Sequence, residues 1–558
     1  MHPDTRGSHL QLPHHAGLLA SILIVGGFAV ALAGVTSSLF DLDRHAVPKE
    51  LALHSTALLV LFHVFADRRR IEIGLVGVLL IAYVAWSGLS SVSAENHWLA
   101  LRALGITVSG VILFGAARRA AKDGGGPIIA AGLCAAAVLA AALGALQAYG
   151  LDWAWLSSGR PPSGTFGNRN FLAHLLAIAT PVLAVLTLRA RRGGWVPGLA
   201  GLAIITGAIV LTRSRAAWLG LAFGLAVTFL ALVLSRGIMR GPAAPAVAAP
   251  DTRMRARAPR VAWLAAAIGG GALLAVLLPN RLDWRSDSPY SETLTGLANY
   301  REGSGRGRLI QFGNTLEMVR SAPVLGTGPG NWFVHYPRVT SPGDPAFAGN
   351  DPIPTNPWPS SDWVAFLAER GIVGVLLLAG AGIAAMITAL RRLRPGTPPG
   401  ETDRLAALSA AALSGMLAVA VVTGLFDAVL VLAAPTYFVF CLMGVLLPAT
   451  RAVVSRNVSP KAGRALFAGA SVLVLVLVVT SAGRLAAIRI AGDGRDRAAV
   501  ERALRFDPGN HRLHLILARR GACRTRVPHA RAAAALMPYH SAPAAALRAC
   551  GAPRQQGP

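Results

Sequence analysis

The run Pro323-Val324-Leu325-Gly326-Thr327-Gly328-Pro329-Gly330-Asn331-Trp332 lies inside the longest polar interval of the chain, residues 279–361, and the stretches flanking that interval decide the fold. Residues 261–278 before it and 363–390 after it are apolar runs of membrane-spanning length, since a helix of roughly 20 apolar residues crosses the hydrocarbon core. An interval so long and so dense in Pro, Gly and Trp reads as a shaped loop rather than a linker. Pro and Gly fix turns, and Trp favours the membrane interface.

Working outward, similar apolar runs occupy residues 17–39, 51–66, 71–90, 98–117, 127–149, 168–188, 196–212, 216–235, 405–425, 428–447 and 465–484. A chain of 558 residues that is 54% hydrophobic and 14% charged carries more apolar material than a soluble core needs. The expectation is an all-α polytopic membrane protein of roughly thirteen transmembrane helices. Residues 1–16 then form a cytoplasmic N-terminus and 17–278 hold helices one to nine. A large periplasmic loop follows at 279–361, then helices ten to thirteen at 362–484, and a periplasmic helical tail at 485–558.

The formal net charge of +27 does not point to nucleic acid, because the arginines fall in short clusters between apolar runs and form no basic stripe. Arg68-Arg69-Arg70, Arg118-Arg119, Arg189 with Arg191 and Arg192, Arg236 to Arg260, Arg391-Arg392 and Arg451 to Arg464 fall on alternate connections. That is the positive-inside pattern of a multi-pass membrane protein, with the Ala/Pro/Arg-rich segment 240–260 a linker on the anionic leaflet. An odd number of spans from a cytoplasmic N-terminus puts the C-terminus in the periplasm.

Cys134 and Cys441 lie in apolar runs as small buried hydrophobes. Cys523 and Cys550 lie in the tail, where an oxidising compartment allows them to pair or to remain two free thiols. No cysteine spacing suits a metal, and neither metal nor cofactor is expected. In the tail, Arg497 to Asn510 reads as a helix ended by Pro508-Gly509, and Met537-Pro538-Tyr539 echoes it about thirty residues on. This suggests a degenerate tetratricopeptide-like repeat, too short to stand alone, that leans on the membrane part or on a protein partner.

Three polar motifs border the outer face. Gly164-Thr-Phe-Gly-Asn168-Arg-Asn170-Phe places Asn at a helix start, where one Asn serves as a cap and the second asks for another role. Thr212-Arg213-Ser-Arg215-Ala squeezes two arginines between apolar helices; Arg213 is open to a snorkelling role, whereas a charge such as Arg215 at the membrane boundary marks function. In the long loop stand Arg306, Arg308, Gly328, Asn331, His335 and Tyr336, and Asp362 opens the next apolar run.

These stretches, together with Arg308-Leu-Ile-Gln-Phe and Asp362-Trp-Val-Ala-Phe-Leu-Ala-Glu-Arg-Gly371-Ile-Val-Gly374, resemble the O-antigen ligase and polymerase superfamily of bacterial envelope proteins. The resemblance covers about residues 160–380 in family order. It implies an integral-membrane glycosyltransferase acting on polyprenyl-diphosphate-linked sugars at the periplasmic face, with a lipid, protein or glycan acceptor. Ligases of the superfamily place a His just ahead of the helix that Asp362 opens, and this chain has Ser360-Ser361 there.

Breaking a sugar–diphosphate bond develops negative charge that needs a metal or fixed cations, and Arg215 and Arg308 supply guanidinium forks matched to phosphate. Asp362 or His335 is then the group to take the acceptor proton, with Arg213, Asn168, Asn170, Gly328, Asn331 and Tyr336 as substrate-binding residues. A polysaccharide or lipid transporter and a catalytically inactive scaffold are the rival readings. A transporter commonly shows internal repeats and broken, ionisable-bearing spans at the midplane.

Overall fold

The computed structural model describes residues 14–64, 70–235, 258–284, 286–296, 299, 301–340, 344, 358–393 and 401–553. The expected cytoplasmic segment up to residue 13, Arg68, Arg69 and the expected linker up to residue 257 lie outside them. Each apolar run becomes a helix. In chain order these are α1 (His14–Leu32), α2 (Asp43–Val64), α3 (Leu75–Ser90), α4 (His97–Lys122), α5 (Gly126–Ala148), α6 (Arg169–Arg189), α7 (Arg192–Thr212), α8 (Arg215–Leu234) and α9 (Ala258–Leu277). The long loop then forms α10 (Pro289–Thr295), α11 (Gly303–Ser321) and the single turn α12 (Trp332–His335). The chain re-enters the bundle as α13 (Asp362–Arg391), α14 (Glu401–Phe426), α15 (Ala433–Leu446) and α16 (Pro460–Ala491).

Among the described residues, eleven helices are long and apolar enough to cross a membrane. The two of the thirteen runs that fall short do so for different reasons. The first half of α2 carries Asp43, Arg44, Lys49 and Glu50, all turned into the protein rather than toward lipid. With 14 residues, α15 spans about 21 Å at 1.5 Å per residue, less than the hydrocarbon thickness. Its short length is compensated by position: α15 is buried on nearly every side, as is α6, and these two form the centre of the bundle.

The arginine-rich connections collect on one face. There β1 (Arg70–Ile73) pairs antiparallel with β2 (Val454–Asn457), Arg118 donates to the carbonyls of Leu447 and Pro448, and Arg392 donates to that of Ala449. The connections at 91–96, 149–168 and 213–214 and the long loop gather with the tail on the opposite face. Asn96 N–H donates to the Asn331 side chain at 2.8 Å and Arg281 N–H to Ala148 at 2.9 Å.

The glycine-rich run of the loop is a docking element. Inside α13, Gly371 breaks the helix with φ 63° and ψ −175°, freeing the carbonyls just before it. Thr327 N–H takes the Ala368 carbonyl, Gly328 N–H takes that of Glu369, Trp86 takes that of Arg370, and Ile372 N–H returns a bond to Pro323. A Cβ on Gly371 would stand 1.9 Å from the Val324 oxygen, so only glycine allows the loop to seat in the break. Non-helical backbone at this depth is tolerated because every freed group finds a protein partner.

The tail forms α17 (Arg497–Leu504), α18 (His511–Ala518), α19 (Cys523–Leu536) and α20 (Ser541–Arg548), with Cys523 and Cys550 joined by a disulfide. Small clusters of its own, Ala518, Ala530 and Leu547 and also Leu515, Ala533 and Ala542, hold its helices together, and its larger apolar contacts are with the bundle and the loop. Val500, Leu513 and Leu517 pack with Val35, Phe40 and Val47 before and within α2, while Met537 joins Trp332, Phe333 and Tyr336 of the loop. Polar bonds from Asn96 to Leu536 and from Tyr539 to Glu95 fasten the same contact.

Candidate active site

A cavity of about 760 Å³ lies on the face that carries the long loop, between the starts of α6 and α8, the start of α11 and the chain after α14. Its lining among the described residues includes five arginines, Arg160, Arg169, Arg213, Arg215 and Arg308, against three aspartates, Asp283, Asp344 and Asp427. Local structure places the cations. Arg213 ends α7 in the left-handed conformation, φ 52°, which turns the chain at once into α8 and directs Arg213 and Arg215 to the same cavity. Such a conformation costs a non-glycine residue energy and is kept where surrounding contacts hold it.

Those contacts come from α10. Arg213 Nε donates to Thr293 at 2.8 Å and Nη2 lies 3.5 Å from Glu292, while Arg215 donates to the Gly296 carbonyl. The Trp284 ring stacks between Arg169 and Arg213, at 4.7 and 4.8 Å from the two guanidinium carbons. The side chains are thereby held in place before any ligand arrives.

Arg169 and Arg215 are each the first residue of a helix. A cation there opposes the helix dipole by about 0.3–1 kcal/mol, so two such residues lining one cavity form an arrangement that an anion would relieve. Asn168 caps α6 by accepting the Asn170 N–H at 3.0 Å. Asn170 has the other role its repetition asked for: its side chain donates to Asp427 Oδ2 at 2.9 Å. His174, fully buried one turn further on, has Nε2 at 3.9 Å from the same oxygen. Asp427 Oδ1 accepts the Ala428 N–H at 2.9 Å.

Of the residues singled out in the sequence, the structure thus brings Asn168, Asn170, Arg213, Arg215 and Arg308 together and leaves the others outside. Gly328 and Asn331 serve the loop docking. The Gly328 backbone lies against Ala94, and Asn331, fully buried, exchanges bonds with the Asn96 backbone. Tyr336 stands behind the cavity wall and donates at 2.6 Å to Asp344; burial and that bond push its phenol above the usual range. His335 is buried beneath the tail with its ring 5.2 Å from that of Tyr539. Burial, aided by Arg338 and opposed by Glu95, holds its imidazole below the ordinary value.

Asp362 does not face the cavity either. It is 1% exposed, and its two oxygens accept the Val429 and Leu430 N–H groups at 2.9 and 2.7 Å. These donors belong to the non-helical strap 427–432 between α14 and α15, so Asp362 holds the strap that carries Asp427 into the cavity. Asp427, Arg160 and Arg169 are the lining residues that sequence reasoning passes over. An ionisable residue at the edge of an apolar run is the signal that points to Asp427. Ser360, where ligases place a His, lines the cavity, its N–H donating to Gln311 at 2.6 Å.

Residues 200–379 match the family model described as O-antigen ligase. That segment is similar to an O-antigen ligase domain. No curated protein matches the chain. The matched segment supplies Arg213, Arg215 and Arg308 and both partners of the loop docking, whereas Asn168, Arg169 and Asn170 at the start of α6 and Asp427 on the strap come from either side of it. Glycosyl transfer of the O-antigen ligase kind, on a lipid-linked glycan in the membrane, is the general activity the domain supports. Among the described residues no group of three or more His, Cys, Asp or Glu is arranged to hold a metal ion.

Proposed function

We propose that the protein transfers or polymerises oligosaccharide from a polyprenyl-diphosphate carrier onto a lipid, protein or glycan acceptor at the periplasmic face of a bacterial inner membrane. Arginines stabilise the leaving diphosphate, without a metal ion. The observation that carries this reading is that two helix N-termini, each headed by an arginine, line one cavity with Arg213 and Arg308. Charge-assisted contacts from guanidinium to phosphate contribute about 1.5–3 kcal/mol each, more in the transition state as the bridging oxygen gains charge.

Asp427 is the base of this scheme, fixed by Asn170 and reached from the strap that Asp362 holds. The acceptor oxygen bonds to the anomeric carbon as the bond from that carbon to the phosphate oxygen breaks. The bonding electron pair leaves with the polyprenyl diphosphate, and the acceptor proton passes to the Asp427 carboxylate. Asp283 and Asp344 line the same cavity, but Asp344 is engaged by Tyr336 and Asn314.

Deletion of the gene tests the reading. The strain is expected to lose a surface glycan and to accumulate the polyprenyl-diphosphate-linked precursor, detected by mass spectrometry. Restoration by the wild-type gene and not by Arg215→Ala or Arg308→Ala supports the scheme; no accumulated precursor in the deletion strain overturns it.

A further inference from the structure

A second cavity, of about 160 Å³, lies beside the first and is walled by α2, α4, residues 430–435 and the tail. The two share Phe171 and Trp358, whose rings meet edge to face at 5.9 Å. Its outer wall is the turn between α17 and α18, through Asp507, Gly509, Asn510, His511 and Arg512. Gly509 lies flat against the Trp98 indole, where any Cβ would stand 2.1 Å from the ring.

The charged groups on this wall favour a hydroxylated occupant over a hydrocarbon chain. Arg102 is bound by Glu50 at 2.7 Å and Asp43 at 2.8 Å, Arg484 lies 3.9 Å from Glu50, and Arg512 lies 3.7 Å from Asp43. A polyprenyl tail would strip water from these groups and return no hydrogen bond. A sugar would answer both features: its C–H faces would pack on Trp98, Phe171 and Trp358, and its hydroxyls would bond the partly exposed Asp43 carboxylate. Three buried polar atoms among the lining residues, Nε of Arg370 and Nε2 of His45 and of His511, have no hydrogen-bond partner within the protein. The volume, below the ~300–1,000 Å³ of common ligand sites, suits a single ring.

The wall between the cavities identifies which sugar. Asn170 and Asp427 line the arginine cavity, while the adjoining Phe171 and Leu430 line the second. The strap 427–432 thus reaches from one cavity to the other, with Asp427 in the first and Leu430 in the second. We propose that this second cavity receives the terminal sugar of the acceptor glycan, and that the tail segment Asp507–Arg512 is part of the acceptor site. This rests on the glycosyl-transfer reading above and assigns the tail a share in choosing the acceptor.

The test uses the full-length protein in detergent, with the lipid-linked glycan purified from the deletion strain as donor and the total glycolipid and glycan extract of that strain as the acceptor pool. Release of polyprenyl diphosphate without acceptor, and transfer at increasing amounts of the extract, are read separately. Trp98→Leu and Arg512→Glu are expected to raise the half-saturating amount of extract tenfold and threefold or more, with the donor constant and the acceptor-free release within twofold of wild type. If Trp98→Leu does not fold, Arg512→Glu on the tail decides alone. A rise in the donor constant, or no change in either, overturns the acceptor assignment while leaving glycosyl transfer standing. A wild-type protein that neither releases diphosphate nor transfers sugar overturns both.

Discussion

The segment around Arg308, in α11, and the loop around Asn331 are neighbours in sequence and opposite in use. At Arg308 the chain meets Arg213 and Arg215 around an open cavity, with cations outnumbering the carboxylates that line it. At Gly326 to Tyr336 the motif's polar groups are spent inside the protein: the Thr327 and Gly328 N–H groups on the break in α13, Asn331 on Asn96, and Tyr336 on Asp344. The lesson is that motif residues divide by what remains unmatched. An excess of one charge on an open surface awaits a ligand, whereas a buried, fully bonded Asn or Tyr holds shape.

The sharpest way to break this comparison is to neutralise both kinds of residue and measure transfer alongside folding. Asp427→Asn is expected to lower the transfer rate by about 10²–10⁴ while leaving thermal unfolding in detergent nearly unchanged, as removal of a general base does. Arg308→Ala is expected to lower it by about 10²–10³, the range for loss of one charge-stabilising donor. Arg308→Lys should recover part of this, because an ammonium keeps the charge and loses the fork.

On the other side of the comparison, Asn331→Ala is expected to act on stability. The Asn96 N–H loses its partner, at about 1–3 kcal/mol, and the activity of the folded fraction stays within a fewfold of wild type. A large loss of turnover in well-folded Asn331→Ala protein would move that region into the site. His335→Ala sharpens the same contrast, with an expected change in transfer of less than threefold.

The smallest effect concerns pH and the tail. His511 is held at about 3 by burial, with Arg512 and His540 adding to the depression and Asp43 opposing it. Its folded value lies below the unfolded 6.5, so the unfolded tail binds the proton more readily. The contribution to docking is complete above pH 6.5 and declines as the pH falls below it, by up to about 2 kcal/mol at pH 5. Limited proteolysis of the tail between pH 7.5 and 5 is expected to accelerate on acidification, and His511→Phe is expected to flatten that dependence.

Much of the fold was legible because it follows from solvent. Apolar runs must become helices in lipid, since only a helix satisfies its own backbone there, and thirteen runs duly gave thirteen helices, eleven of them of full spanning character. The site was half legible. Arg213, Arg215 and Arg308 could be read from charge placed at the membrane edge, and Asn170 from its repetition beside Asn168, but the role of Asp362 could not. A carboxylate at a helix start looks the same in sequence whether it caps its own helix, faces substrate, or, as here, accepts N–H groups from a strap sixty-odd residues away. Composition and periodicity by themselves determined the number and kind of elements, because those depend on each segment's exchange with lipid and water. Which polar residues share a cavity was decided only by tertiary structure. The break at Gly371, the strap at 427–432 and the seat of the tail are each stabilised by partners distant in the chain, and no local property of a residue records the distance to such a partner.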